Sequence, residues 1–291
     1  MSFLNKIFIY ETRPLAYLDM YVGKLRQLKF DPVILSDENI RGNKMFETFV
    51  SVYEHLSVNS LNFELACFAR YFIIADALSD NNSFILSDSD IYVTNKLVEF
   101  KEASFKDVFV GSEGFNVNGS EMQISPHFSI WNKDLILSFI DFLTKAYKRN
   151  AVDRFLKKYY DRQTKNLGRT AISDMTMLYL WVKDRHIPYI NSNSISCGLG
   201  IDHNISSLYA SDGVFNSWLN RKRMEVLPSG EVNFLVRPYE ERQVTCIHFQ
   251  GGYKRILLDF YKGNFVRFNL FSYYINNGRK ISILLNKLKN L

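Results

Sequence analysis

The chain has 291 residues, 47% hydrophobic and 23% charged, enough for one large α/β domain or two small ones with a real core. Its net charge of +6 is unevenly placed: residues 254–291 carry eight Lys/Arg against Asp259 alone, which leaves residues 1–253 close to neutral. A uniformly basic nucleic-acid binder is therefore not expected. Residues 6–11 read as a first strand, broken at Thr12-Arg13-Pro14. No secretory signal is expected, because the opening apolar run is too short for a signal h-region. Leu15, Leu18, Val22 and Leu25 recur at helical spacing and predict a helix over 15–28. Asp31-Pro32 reads as a turn into a second strand, 33–35. This strand, helix, strand opening suits a nucleotide-binding α/β unit. It carries no Gly-x-Gly-x-x-Gly and no Gly-Lys-Ser/Thr, so neither a dinucleotide fingerprint nor a P-loop is supported.

Helices follow over 43–54 and 61–78. The second is strongly apolar and carries one cation, Arg70, which reads equally as a snorkelling arginine or a site residue. Asp80-Asn81-Asn82 ends it. Phe84-Ile85-Leu86 then reads as a buried strand, with Asp88 and Asp90 at its carboxyl end and Ile91-Tyr92-Val93 continuing it. Open α/β sheets place their ligands at that edge. Two carboxylates there can hold a divalent cation, and the cation can hold a diphosphate. The plain alternative is a strand end capped by solvated acids.

Downstream, a short helix follows Thr94-Asn95, and strands are predicted over 107–111 and 125–131 with a loop over 115–121 between them. Helices are predicted over 134–147 and 151–160, then a loop over 164–170 and a helix over 171–182 with Asp174 near its start. A short strand spans 187–190. Residues 191–212 form a long polar loop, a length that usually marks function or mobility. The last strand is 244–249. Cys67, Cys197 and Cys246 fit neither a disulfide framework nor a zinc pattern, and a reducing compartment is expected. No run of about 18 apolar residues is present to span a bilayer.

The second informative stretch is His248-Phe249-Gln250-Gly251-Gly252-Tyr253-Lys254. Glycines let backbone N–H groups approach an anion, and lysine brings a point charge for phosphate. A neutral histidine suits a metal beside two carboxylates. A strand, a glycine turn and a surface lysine is the bland reading of the same residues.

Together, Asp88-Ser89-Asp90 and His248…Gly251…Lys254 resemble the paired motifs of GT-A nucleotide-sugar glycosyltransferases, within them glycosyltransferase family 8. The likeness covers roughly residues 5–260. It extends to Ala69-Arg70-Tyr71-Phe72-Ile73, which is similar to the family's arginine helix, and to Ser173-Asp174-Met175, which is similar to its Asp-Gln pair. The resemblance implies a single GT-A type α/β domain over 1–262, with a mixed central sheet flanked by helices. Asp88, Asp90 and His248 would hold Mn²⁺ or Mg²⁺. Gly251, Gly252 and Lys254 would hold the donor diphosphate, Arg70 and Asp174 would contact the transferred sugar, Thr12 and Arg13 would lie near the base and ribose, and Ser89 is a further donor-binding residue. Asp174 is the expected catalytic carboxylate. Met175 stands where the family has Gln, and Arg255-Ile256 where it commonly has Pro-Trp.

Glycosyl transfer needs the leaving diphosphate neutralised and a carboxylate near the developing oxocarbenium centre. The expected function is metal-dependent transfer from a nucleoside diphosphate sugar, a UDP-sugar first, to a glycan or lipid-linked acceptor in surface polysaccharide or lipooligosaccharide assembly. Retention of configuration is what the family implies. With the Gln absent, inversion with Asp174 or Glu113 as base stays open. His127, Trp218 and the 191–212 loop are candidate sugar contacts, each with a structural alternative. The basic segment 263–291 reads as an amphipathic tail able to lie on an anionic membrane, placing the protein in the cytoplasm or on the inner membrane face. The alternatives are a sugar-phosphate nucleotidyltransferase and a non-catalytic glycan- or membrane-binding module.

Overall fold

A computed structural model describes residues 4–80, 82–103, 105, 107–114, 123–148, 156–167, 171–218, 221–238, 240–266 and 268–269. In chain order the first part runs β1 (Lys6–Tyr10), α1 (Ala16–Gln27), β2 (Asp31–Leu35), α2 (Lys44–Val52), α3 (Leu61–Ala77), β3 (Phe84–Ser87), β4 (Ile91–Val93), β5 (Phe109–Glu113), β6 (Ile124–Trp131), α4 (Lys133–Tyr147), α5 (Leu156–Leu167), α6 (Asp174–Asp184) and β7 (Tyr189–Asn191). Short strands follow: β8 (Tyr209–Ala210), β9 (Gly213–Val214), β10 (Ser217–Trp218), β11 (Arg221–Lys222), β12 (Met224–Val226), β13 (Val232–Val236), β14 (Glu240–Gln243) and β15 (Cys246–His248). Helix α7 (Lys254–Tyr261) comes last. The chain divides into two compact units, one of residues 1–13, 31–88 and 101–191, the other of residues 14–30, 89–100 and 192–291.

The first unit is built on a six-stranded sheet in the order β2-β1-β3-β6-β5-β7. β1 pairs in parallel with β2 and β3, β6 runs antiparallel to β3 and β5, and β7 is parallel to β5. This is the mixed α/β sheet expected from the sequence. The central strand β6 is buried along its whole length, as a strand covered on both faces must be. Pro32 falls inside β2 rather than in a turn before it, and β2 lies at the sheet edge, where a missing N–H is tolerated. Helix α3 is started by Ser60 Oγ, which accepts the Phe63 N–H at 3.3 Å, and is buried from Phe68 to Ala75. An all-round apolar surface of that kind makes a core helix. Its rings join Phe49, Trp131, Phe139, Tyr147 and Trp181 in one aromatic core.

In the second unit β4 pairs antiparallel with β15, matching Ile91 with His248 and Val93 with Cys246. The acidic strand therefore does not continue through Ile91: the chain leaves the first unit after Asp88, and β4 belongs to another sheet. β12, β13 and β14 form an antiparallel meander, and Val232, Phe234 and Val236 alternate inward from β13. Helix α7 contributes Ile256, Leu257 and Phe260 to the second core beside Phe249 and Phe268. Residues 164–167, expected in a loop, extend α5 instead. The expected amphipathic tail falls outside the described residues from 270 onward. Among the described residues no helix is long and apolar enough to cross a membrane, and all three cysteines are free thiols.

Candidate functional site

In the first unit, burial of α3 forces a solution on Arg70. A guanidinium taken out of water needs carboxylate partners. Its Nη1 donates to Asp88 Oδ1 at 2.8 Å, and its Nη2 pairs with Asp174 Oδ2. Asp88 sits just beyond β3, with its N–H donating to His127 O at 2.7 Å and its side chain one-third exposed. Asp174 opens α6 and is buried. Besides Arg70, its carboxylate accepts the Tyr71 hydroxyl at 2.9 Å and the Met175 N–H at 2.9 Å. Burial works against the charge on Arg70, yet Tyr71, Asp174 and Asp88 outweigh it and hold the guanidinium well above its ordinary value. Burial pushes the Tyr71 hydroxyl well up, so it stays a donor to Asp174. Three residues expected at the site, Arg70, Asp88 and Asp174, are thus one ionic network.

In the second unit, strand pairing sets His248 opposite Ile91, and the Phe249 N–H donates to Asp90 O at 2.9 Å. The Asp90 side chain is 2% exposed. Its Oδ2 faces His248 Nε2 at 3.5 Å and Lys254 Nζ at 2.8 Å. His248 Nδ1 lies 2.7 Å from His203 O, an acceptor only, so the hydrogen-bond network places a proton on Nδ1 and leaves Nε2 as the nitrogen that faces Asp90. A backbone carbonyl orienting the far nitrogen is a usual second partner of a metal-binding histidine. The Lys254 ammonium is the cation that stands beside this pair. Burial raises the Asp90 carboxyl, but hydrogen bonding and charge from His248 and Lys254 outweigh it and hold the group well below the usual carboxylate range. Within this unit a buried carboxylate and an imidazole are donors of the kind that suit a divalent cation.

Gly251 has φ +65°, and a Cβ there would meet nothing within 4 Å. The left-handed backbone, rather than crowding, is what favours glycine. Lys254 starts α7 with its side chain 36% exposed. Ser89, between the two aspartates, is buried.

Thr12 and Arg13 take a different arrangement. Both backbone N–H groups donate to Glu11 Oε1, and the Arg13 guanidinium is bidentate to the same carboxylate. His127 is fully buried with Nδ1 3.0 Å from Ser125 Oγ. Glu113 Oε2 accepts Asn191 Nδ2 at 3.1 Å. Trp218 is exposed, with Arg221 over its ring at 5.2 Å. The 191–212 stretch is not slack: Asp212 accepts from Ser194 Oγ and from the Ile195 and Ser196 N–H groups. Ser192, Asn193 and Ser194 help line a cavity of about 210 Å³ with Phe215 and Phe234.

Two participants carried no signal in the sequence. Tyr71 is an ordinary core tyrosine until its hydroxyl is placed on Asp174. Asp202, inside the polar 191–212 stretch, is buried, pairs with buried Lys222 through Oδ1, and accepts the His248 N–H through Oδ2 at 3.2 Å. An isolated aspartate in a polar loop gives no hint of that role.

No family model matches the chain, and no curated protein matches it. The solved structures it resembles are glycosyltransferases, as the paired motifs implied. They include the galactosyltransferase LgtC in complex with donor and acceptor sugar analogues, at 14% identity over 89% of this chain and 95% of that one, with a TM-score of 0.44. Mouse xyloside xylosyltransferase 1 in its apo form matches at 11% identity over 64% of this chain and 84% of that one, TM-score 0.41. GlyE of Streptococcus pneumoniae TIGR4 matches at 14% identity over 66% and 46%, TM-score 0.35. Likeness this distant carries no argument about chemistry.

Proposed function

We propose that the chain is a divalent-metal-dependent glycosyltransferase that moves a sugar from a nucleoside diphosphate, a UDP-sugar first, to a glycan or lipid-linked acceptor. The observation that carries this reading is the buried Asp90 oxygen faced by His248 Nε2 and by the Lys254 ammonium. Asp88 is separated from Asp90 by Ser89 alone in the sequence, and in the second unit Asp90 and His248 offer a carboxylate and an imidazole toward a cation. When bound, that cation would supply neutralisation of the diphosphate as its bond to the anomeric carbon lengthens.

This chain's own residues do the rest. Lys254 presents a point charge to phosphate, and Gly251 offers a backbone that an anion can approach. Arg70 fixes Asp88 and Asp174 by pairing with both. The Asp174 carboxylate is then engaged by three donors, Arg70, Tyr71 and the Met175 N–H, an arrangement suited to facing a developing oxocarbenium centre. Glu113, the other candidate base, is hydrogen-bonded to Asn191. Both commitments favour retention of configuration over base-assisted inversion. Surface polysaccharide or lipooligosaccharide assembly at the inner membrane face is part of the proposal, and it rests on the basic composition of residues 263–291.

Thermal melting with a panel of nucleotide sugars, with and without Mn²⁺, tests the reading. A donor should raise the melting temperature only when Mn²⁺ is present, since ligand binding to the folded state stabilises it by mass action. Asp90→Ala should abolish the shift. A panel in which no nucleotide sugar produces a Mn²⁺-dependent shift would overturn the proposal.

A further inference from the structure

Lys254 stands on the oxygen that a metal would need. Its Nζ is 2.8 Å from Asp90 Oδ2, the same atom that His248 Nε2 faces at 3.5 Å. A hard divalent cation sits about 2.0–2.2 Å from a carboxylate oxygen, so it and an ammonium repel each other at that point. The two side chains differ in freedom. Asp90 is 2% exposed and anchored, whereas Lys254 is 36% exposed on a flexible four-carbon stem. When both cations compete for Oδ2, the lysine is the one able to leave.

We infer that Lys254 is a resident counter-ion of Asp90: an arriving divalent cation displaces it, and only then does the ammonium become available to the diphosphate. The inference rests on the metal-dependent glycosyltransferase reading and adds an order of events to it. Cation and nucleotide binding become coupled through one side chain, and coupling of this kind is reciprocal. A protein without the cation does not spend its phosphate-binding charge on free nucleotide.

The test compares the full chain with Lys254→Met and Lys254→Gln, each checked for an unchanged melting temperature, in NMR titrations with Mg²⁺ alone, UDP alone, and UDP at saturating Mg²⁺. Both variants should bind Mg²⁺ alone about fivefold more tightly, the scale of one partly exposed ion pair. UDP affinity at saturating Mg²⁺ should fall about tenfold, the scale of one charge-assisted hydrogen bond. UDP affinity without Mg²⁺ should not change, because there the wild-type lysine is engaged with Asp90. An equal loss of UDP affinity with and without Mg²⁺, or unchanged Mg²⁺ affinity, would overturn the inference and leave the functional reading standing. A wild-type chain that binds neither Mg²⁺ nor UDP would overturn the functional reading itself.

Discussion

Arg70 shows what a single buried cation commits a fold to. Its guanidinium spans carboxylates 18 and 104 residues away in sequence. Arg70→Met would leave two acids without their counter-ion, and the expected loss is about 3–5 kcal/mol in urea denaturation. Arg70→Lys should recover only part of it, since one ammonium cannot copy the two-pronged fork. Glu64 makes a pH-dependent case on the same helix. Burial raises its carboxyl, and the hydrogen bonds from Ser57 and Asn59 only partly offset that. A carboxyl raised in the folded state favours folding below its unfolded value of about 4.3 and loses that contribution as pH rises through the folded value. Glu64→Gln does not titrate, so its stability relative to wild type should grow from pH 4 to pH 8. A gap that is flat with pH would contradict this. Arg70 was legible in the sequence as a lone cation in an apolar helix. Asp202 was not, because its partners, Lys222 and the His248 N–H, are set by chain crossings that no local pattern announces.

At the level of elements, strong periodicity and punctuation served well. The 15–28, 61–78 and 134–147 helices and the strand ahead of Asp88 all stand where apolar spacing put them. The strands β8 to β14 did not show, because two to five residues are too few to display a period, and their pairing is decided by the second core. The break between β3 and β4 was hidden for a related reason: both flanks of Asp88-Ser89-Asp90 are apolar, and only pairing distinguishes one strand from two. Close packing at Gly200 gives a test of that second unit. It has φ +65°, and a Cβ would lie 2.6 Å from Gln243 O and 2.9 Å from Thr245 N, both backbone atoms. Gly200→Ala should cost more than about 1 kcal/mol from the left-handed backbone alone, and should disturb the strand that carries His248. In the first unit, Asn43 caps α2 through Phe46 N–H and also donates to Phe72 O. Asn43→Ala should cost about 2 kcal/mol by thermal or chemical denaturation, more than an exposed cap.

On the scale of the whole molecule, neither unit is one continuous piece of chain. The second unit takes α1 and β4 from the first third of the sequence, and there they bury Tyr21, Leu25, Ile91 and Val93 completely. A fragment of residues 1–191 should retain the sheet-forming segments of the first unit but expose those four side chains. It should bind a hydrophobic dye and scatter light at concentrations where the full chain does not. A fragment as soluble and dye-silent as the full chain would show that α1 and β4 find other cover.

The same interleaving sets a timetable on the ribosome. Thr94 Oγ1 donates to Val244 O, 150 residues further on, and β4 has β15 as its partner. At roughly 5–20 residues per second of synthesis, Ile91–Val93 waits on the order of 8–30 s for the strand that will cover it. Asp88 can take its place beside Arg70 and Asp174 well before then. Asp90 cannot meet His248 and Lys254 until residue 254 has been made, so the two halves of one three-residue motif mature at separate moments of synthesis.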